Sequence, residues 1–180
     1  FVMSENYYKP DMLADTGWLL ENLDKPNIRI IDCDPPDSFF RAHIPNSVNV
    51  GSNTFVKSAN SSKHVMPPDE VEAFMSNLGL DSDTLVICYD GRNSLNATRF
   101  WWVLNYYGHI NSKVLNGGWT KWISENKPVT ITSTKVPKGK FIAHKDDSLI
   151  ADSKRILAAI DNDSDMIWDV RTIDEYNGEN

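Results

Sequence analysis

A cysteine stands at the junction between a strand pattern and a helix pattern in the segment CYDGRNSLNATRFWW, residues 88–102. Cys88 lies near the end of an apolar run, and the residues after it form a loop that leads into a helical pattern. A cysteine in such a loop is a nucleophile when successive backbone N–H groups and a helix N-terminus stabilise its thiolate. A free cysteine inside an apolar strand is instead an inert, small hydrophobic side chain. The segment therefore predicts either a thiolate site or a buried thiol beside a loop.

The elements that must position this segment alternate between strands and helices. Apolar runs predict strands at IRIIDC (28–33), SVNV (47–50), TLVICY (84–89) and SKVLNGG (112–118). Helical periodicity predicts helices over 18–23, 67–80, 94–108 and 119–126, and the DPPD that follows the first strand predicts a turn. Strands that alternate with helices of this length indicate a central parallel sheet with helices on both faces. Residues 1–128 therefore predict one complete α/β domain.

Composition excludes several classes of protein. The net charge of −7 is spread along the chain, so no basic stripe is available to neutralise phosphates and no nucleic-acid partner is expected. No apolar run approaches the roughly 18 to 20 residues that cross a bilayer, so no membrane partner is expected. The two cysteines make neither a disulfide framework nor a zinc site, which favours a cytoplasmic protein without a metal or cofactor.

The sequence changes character after Pro128. Residues 129–147 are rich in Lys, Thr and Ser without a helix period, which predicts a linker. Residues 148–180 then repeat the start of the chain: a helix over 151–162, an acidic turn, and an apolar strand over 165–176 in which Asp169 corresponds to Asp32. An aromatic residue follows each of these two aspartates by about seven positions. The pattern indicates an internal repeat whose second copy is truncated.

Four segments resemble the tandem rhodanese and 3-mercaptopyruvate sulfurtransferases. RAHIPNSVNV resembles that family's GHIPGA segment, and LVICYDGRNSLNATRFWWVLNYYGH resembles the loop and helix of its N-terminal, non-nucleophilic domain. KVLNGGWTKWISENKPV resembles the segment that closes that domain, and IWDVRTIDEYNGE resembles the entry of the C-terminal domain. The resemblance implies a rhodanese-like three-layer α/β domain, with a parallel sheet flanked by helices, followed by a fragment of a second such domain.

The resemblance also bears on Cys88. In the family the nucleophilic cysteine follows the final residue of the strand, and this position falls on Asp90. Cys88 then belongs to the strand, as does Cys33 in the first strand, and neither is expected to be the nucleophile. Asp90, Gly91, Arg92 and Ser94 form the counterpart of the family's loop in an inactive form. A phosphatase of related fold would need Arg at the position of Ser94.

Other residues receive roles only through the resemblance. His64 matches a histidine of the mercaptopyruvate-type members that reaches the second domain's cysteine, and a solvated loop histidine is the alternative. The acidic partner expected after the HIP segment is absent at Gly51 and Asn53. His43 is expected to pack or cap its turn.

Two residues of the second repeat bear on the substrate. The family's substrate-binding arginine matches Glu175, whose carboxylate would repel an anionic donor. Arg171, four residues earlier, is a candidate to replace it.

The resemblance implies a sulfurtransferase that accepts sulfur from 3-mercaptopyruvate or thiosulfate and passes it to cyanide or a thiol through a cysteine persulfide in the missing second domain. The fragment alone is then expected to be inactive. A non-catalytic rhodanese-like binding module is the alternative. The missing C-terminal portion or a second chain is a further expected partner.

Overall fold

The computed structural model describes residues 7–51 and 65–179. The chain divides into two compact units, Phe1–Lys145 and Asp146–Asn180.

The first unit is built on a five-stranded parallel sheet with the strand order β1-β5-β4-β2-β3. The strands are β1 (Leu13–Ala14), β2 (Ile28–Asp32), β3 (Ser47–Asn49), β4 (Leu85–Tyr89) and β5 (Ser112–Leu115). The four strands predicted from the apolar runs are all present. The two residues of β1 were not predicted, because a strand this short has no measurable alternation.

Among the described residues of this unit, five α-helices flank the sheet: α1 (Thr16–Glu21), α2 (Pro36–Arg41), α3 (Pro68–Asn77), α4 (Leu95–Tyr106) and α5 (Gly118–Ser124). The turn predicted at DPPD leads directly into α2, because a proline at the first helical position needs no N–H donor. None of the helices in the described ranges is both long and apolar enough to cross a membrane. The predicted α/β fold, a parallel sheet flanked by helices, is confirmed.

Strand β4 places its side chains alternately in two hydrophobic cores. Val86 and Cys88 lie in the core that includes Phe100 of α4. Ile87 and Tyr89 lie in the core that includes Trp122 of α5. This alternation follows from the period of two along a strand. Both faces of the sheet are therefore packed against helices.

The segment after α5, predicted as a linker, packs along the first unit as far as Lys145. Thr130 forms an antiparallel bridge with His43. The Phe141 side chain is 5% exposed, and its backbone N–H donates to Ser76 Oγ over 3.0 Å. Burial of an aromatic ring and paired backbone groups hold this extended segment in place.

The second unit contains the helices α6 (Ser153–Ile160) and α7 (Ile173–Asn177). The strand predicted over 165–176 is wrong: residues 165–170 have no regular secondary structure, and α7 begins at Ile173. A strand is defined by hydrogen bonds to a neighbour, and no described residue pairs with this segment. Its apolar side chains are consequently exposed, with Met166 at 91%, Trp168 at 82% and Val170 at 83%.

Candidate functional site

The candidate site lies where the carboxyl ends of β2 and β4 meet. The two strands run parallel and adjacent, with Asp32 opposite Tyr89. The residues that follow each strand, including Asp34 and Asp90, therefore emerge at the same edge of the sheet. Ligands of open α/β sheets bind in the crevice at this edge.

The Asp90 carboxylate is surrounded by backbone N–H donors from its own loop. Its Oδ1 accepts from the N–H groups of Arg92 at 2.7 Å and Ser94 at 2.9 Å. Its Oδ2 accepts from Asn96 at 2.8 Å and Ala97 at 2.7 Å, at the N-terminus of the twelve-residue helix α4. We call these four N–H groups the backbone cradle. It is an anion site, and the anion that fills it is a side chain of the protein itself.

Local backbone geometry makes this cradle possible. Asn93 and Ser94 both have positive φ angles, 55° and 64°, which turn successive N–H groups toward one point. Gly118 closes the other side, because a Cβ built on it would lie 2.4 Å from the Asp90 carbonyl oxygen. The same carbonyl accepts the Trp119 N–H over 2.9 Å. The start of α5 is thereby fixed against the loop.

Neither cysteine reaches this cradle. Cys88 and Cys33 are fully buried in the hydrophobic core between the sheet and α3 and α4. Burial raises the pKa of the Cys88 thiol well above its usual range. Burial also raises the pKa of Cys33, and nearby Cys88, Asp32, Asp90 and Asp34 raise it further. Both thiols are therefore held protonated, the opposite of what a nucleophile requires.

Beside the cradle lies a cavity of about 420 Å³ whose lining includes Asp32, Asp34, Ser38, Arg41, Arg92 and Trp119. We call it the acid–arginine pocket. Asp32 and Asp34 are buried, at 2% and 8% exposed, whereas Arg41 and Arg92 are exposed. Two acids thus lie deep and two guanidinium groups lie at the rim.

Asp32 connects the pocket to the core. Its Oδ2 accepts a short hydrogen bond of 2.5 Å from the Tyr89 hydroxyl, and its Oδ1 accepts from Asp34 N–H at 2.8 Å. Burial raises the pKa of Asp32 to about 6, although these hydrogen bonds oppose the shift. Burial likewise raises the pKa of Asp34, while the hydrogen bond from Gly91 N–H and the charge of Arg92 oppose the rise.

The predicted loop residues Asp90, Gly91, Arg92 and Ser94 come together here, and Cys88 lies beneath them. His64 lies outside the described residues. His43 is fully buried, stacked on Phe39, with its ring nitrogens near the Phe39 and Thr132 carbonyl oxygens at 2.8 and 3.2 Å.

Arg99 of α4 forms no ion pair with Asp32 or Asp90. The partners of Asp90 are the backbone groups of its loop, which satisfy the carboxylate. The Arg99 guanidinium lies instead over the Trp102 ring, 4.8 Å from its centroid.

Arg171 belongs to the second unit and is engaged there. Its Nε and Nη2 donate to both carboxylate oxygens of Asp169 at 2.6 to 3.0 Å. These hydrogen bonds lower the pKa of Asp169 to about 2. Glu175 accepts from the Thr172 N–H in a capping box at the start of α7.

Of the six lining residues named above, only Arg92 was predicted as a site residue, and five were missed from the sequence: Asp32, Asp34, Ser38, Arg41 and Trp119. The available signal was the pair Asp32 and Asp34 at the carboxyl end of β2, because polar residues at the carboxyl ends of adjacent parallel strands share one edge. From the sequence, DPPD was assigned only to a turn. The packing of α2 against the loop after β4, which brings these residues together, depends on tertiary structure.

The fold and this edge define a parallel α/β domain whose cradle after its central strand holds one acidic side chain. A family model described as "Rhodanese-like domain" matches residues 15–125. The chain therefore belongs to the rhodanese family.

Individual relatives agree with this assignment. "Sulfur carrier protein TtuD" of Thermus thermophilus is 27% identical over 179 residues, covering 96% of this chain and 62% of the relative. "Thiosulfate sulfurtransferase" of Cricetulus griseus is 28% identical, covering 92% of this chain and 61% of the relative. The crystal structure of the 3-mercaptopyruvate sulfotransferase SseA from Escherichia coli matches with a TM-score of 0.82 and 26% identity, over 93% of this chain and 68% of that one. The chain thus spans about 62% of the length of the first of these relatives.

Proposed function

We propose that this chain is the non-nucleophilic domain, and the beginning of the second domain, of a sulfurtransferase. The match to sulfur-transferring relatives over 92% to 96% of the chain carries the proposal, because it extends through the second unit. The self-filled cradle supports the assignment of the first domain as non-nucleophilic. A cytoplasmic location belongs to the same proposal.

The reaction uses a cysteine outside this sequence. Its thiolate attacks the outer sulfur of thiosulfate, the sulfur–sulfur bond of thiosulfate breaks, and sulfite leaves. With 3-mercaptopyruvate, the carbon–sulfur bond breaks and pyruvate leaves after protonation. Cyanide or a thiol then takes the sulfur from the cysteine persulfide and restores the thiolate.

The test of the first domain's role is treatment of residues 1–180 with thiosulfate and with 3-mercaptopyruvate, followed by intact mass measurement. We expect no gain of a sulfur atom, because both cysteines are buried and protonated. A persulfide at Cys88 or Cys33 would contradict the proposal. A complete sulfurtransferase carried through the same treatment and measurement provides the positive control.

A binding module without catalysis is the second candidate, and the Asp90 carboxylate in the cradle favours it. The coding sequence after residue 180 discriminates the two. A cysteine followed by a short Gly-rich loop there supports the enzyme, and its absence supports the module. If a second chain supplies that portion, size exclusion should give a mass well above that of one chain.

Arg171 is the proposed contact for the anionic donor in the second domain. Its guanidinium already holds Asp169 in a two-pronged ion pair, so it is oriented but partly neutralised. In the complete enzyme, Arg171→Gln should raise KM for the donor more than it lowers kcat, and an unchanged KM would exclude this role.

The role of His64 in the mercaptopyruvate reaction stays a prediction, and His64→Asn in the complete enzyme tests it. A loss confined to mercaptopyruvate turnover would support it.

A further inference from the structure

We propose that the acid–arginine pocket binds a small zwitterion, an amino acid or short peptide whose ammonium contacts Asp34 and whose carboxylate contacts Arg92 and Arg41. The pocket lies entirely within the first unit. It is lined by residues of this unit alone, so the proposal does not depend on the proposed sulfur transfer.

The floor of the pocket offers an acceptor without a donor. Asp34 Oδ2 accepts the Gly91 N–H over 2.8 Å, whereas its Oδ1 has no hydrogen-bond partner among the described residues. The Asp34 residue is 8% exposed, and Oδ1 is not among the described buried side-chain atoms that lack a partner, so this oxygen faces the open space of the pocket. A carboxylate oxygen can accept more than one hydrogen bond, and Oδ1 is open to a donor that enters the pocket. A ligand ammonium supplies that donor.

Asp32 makes the floor more acidic without competing for the ligand. Its two oxygens are already occupied by donors from Tyr89, Asp34 and Asn49. It therefore contributes negative charge to the pocket through space, while the free oxygen of Asp34 provides the direct contact.

The rim carries the opposite charge. The Arg92 guanidinium is exposed and makes no hydrogen bond to another described residue. Arg41 at the end of α2 donates from Nη2 to Ser38 Oγ over 3.1 Å, which leaves its other N–H groups available. Guanidinium groups bind carboxylates with two parallel hydrogen bonds. The rim is thus suited to an anionic group.

The balance of charge selects the ligand class. The lining holds two aspartates and two arginines, so a simple cation would leave the rim unmatched and a simple anion would face the buried acids. A zwitterion matches both the acidic floor and the basic rim of the pocket. The volume of about 420 Å³ is within the range of small-molecule sites, and Trp119 provides an apolar wall for a side chain.

The experiment is an NMR titration of the 180-residue chain, labelled with ¹⁵N, with each of the twenty amino acids and with dialanine. We expect saturable shifts of the Gly91, Arg92 and Trp119 amides with at least one zwitterion. Comparison of the affinities for the amino acids and for dialanine identifies whether a free amino acid or a peptide binds better. For the best ligand, the analogue without its ammonium and the analogue without its carboxylate should each bind about tenfold more weakly or worse.

Two variants test the contacts. Asp34→Asn keeps an oxygen for Gly91 N–H but removes the charge, and Arg92→Gln removes an exposed guanidinium that the fold does not need. Each should weaken binding about tenfold or more, whereas Asp37→Asn and Lys154→Gln, which change exposed charges outside the pocket, should not. The proposal is overturned if no zwitterion binds up to its solubility limit, if either one-group analogue binds as well, or if Arg92→Gln leaves the affinity unchanged.

Discussion

At the scale of single residues, Asp90 determines what the loop after β4 can do. Four backbone N–H groups converge on its carboxylate. The same arrangement around a sulfur would stabilise a thiolate, because N–H dipoles and a helix N-terminus favour negative charge. The chemical capacity of the cradle therefore depends on the side chain at one position.

Replacing this side chain with a thiol should reveal that capacity. In Asp90→Cys, the cradle should lower the thiol pKa below the roughly 8.5 of a free cysteine. The pH midpoint of alkylation measures it, with Ser133→Cys as an exposed thiol outside any helix N-terminus or cradle. Identical midpoints for the two variants would show that the cradle does not stabilise a thiolate.

Asp32 should make stability depend on pH. Its pKa is raised to about 6 by burial, so the folded state holds its proton more tightly than the unfolded state does. The stabilising contribution is complete below about pH 4 and is lost as pH rises through 6. Relative to Asp32→Asn, the wild type should lose on the order of 3 kcal/mol of unfolding free energy between pH 4 and 8. Urea unfolding at several pH values measures this difference.

The control for that experiment is Asp37→Asn, which removes an exposed carboxylate from α2. A difference between wild type and Asp32→Asn that stays constant or grows with pH would contradict the assignment of a raised pKa to Asp32.

At the scale of elements, the extended segment 129–145 behaves as part of the first unit despite its polar, irregular sequence. Its backbone pairs with His43, Ser76 and Tyr107. Gly139 is required at its contact with Leu80, because a Cβ there would lie 2.4 Å from the Leu80 carbonyl oxygen. Hydrogen bonds and close backbone contact replace the apolar periodicity that marks a regular element.

Phe141 should carry much of the energy of this contact. Phe141→Ala removes a ring that is 5% exposed and should cost about 3 kcal/mol of unfolding free energy. Ile142→Ala alters the neighbouring side chain, which is 54% exposed, and should cost about 0.5 kcal/mol or less. Chemical denaturation separates the two. Equal effects would mean that the segment is not anchored through Phe141.

At the scale of the whole molecule, the two units differ in how much apolar surface they bury. The first unit encloses two cores, one on each face of its sheet. Within the second unit, residues of both α6 and the segment 165–170 are exposed, including Leu157 at 66% and Trp168 at 82%. A unit of this size buries little surface by itself, which agrees with its proposed place at the start of a larger domain.

The extent of the first unit can be measured by truncation. A chain ending at residue 145 should unfold cooperatively, whereas a chain ending at residue 128 should be less stable by about 3 kcal/mol or more, because it lacks the Phe141 contact. Urea unfolding of the two chains gives the difference. Equal stability would indicate that residues 129–145 contribute nothing to the fold.

The sequence alone determined the parallel α/β architecture and the position of Asp90 in the loop. Both depend on local patterns: apolar runs of strand length, helical periodicity, and a motif read in register along one strand. Cys88 could be assigned to the strand for the same reason, since it lies inside the apolar run TLVICY.

Only the tertiary structure decided which side chains meet. The acid–arginine pocket joins Asp34, Arg41 and Trp119 from three separate segments, and segment 129–145 became part of the first unit through Phe141. Residues 165–170 did not become a strand, because a strand needs hydrogen-bonding neighbours as well as its own apolar pattern. Contacts between residues distant in sequence depend on the packing of several elements, so no single segment encodes them.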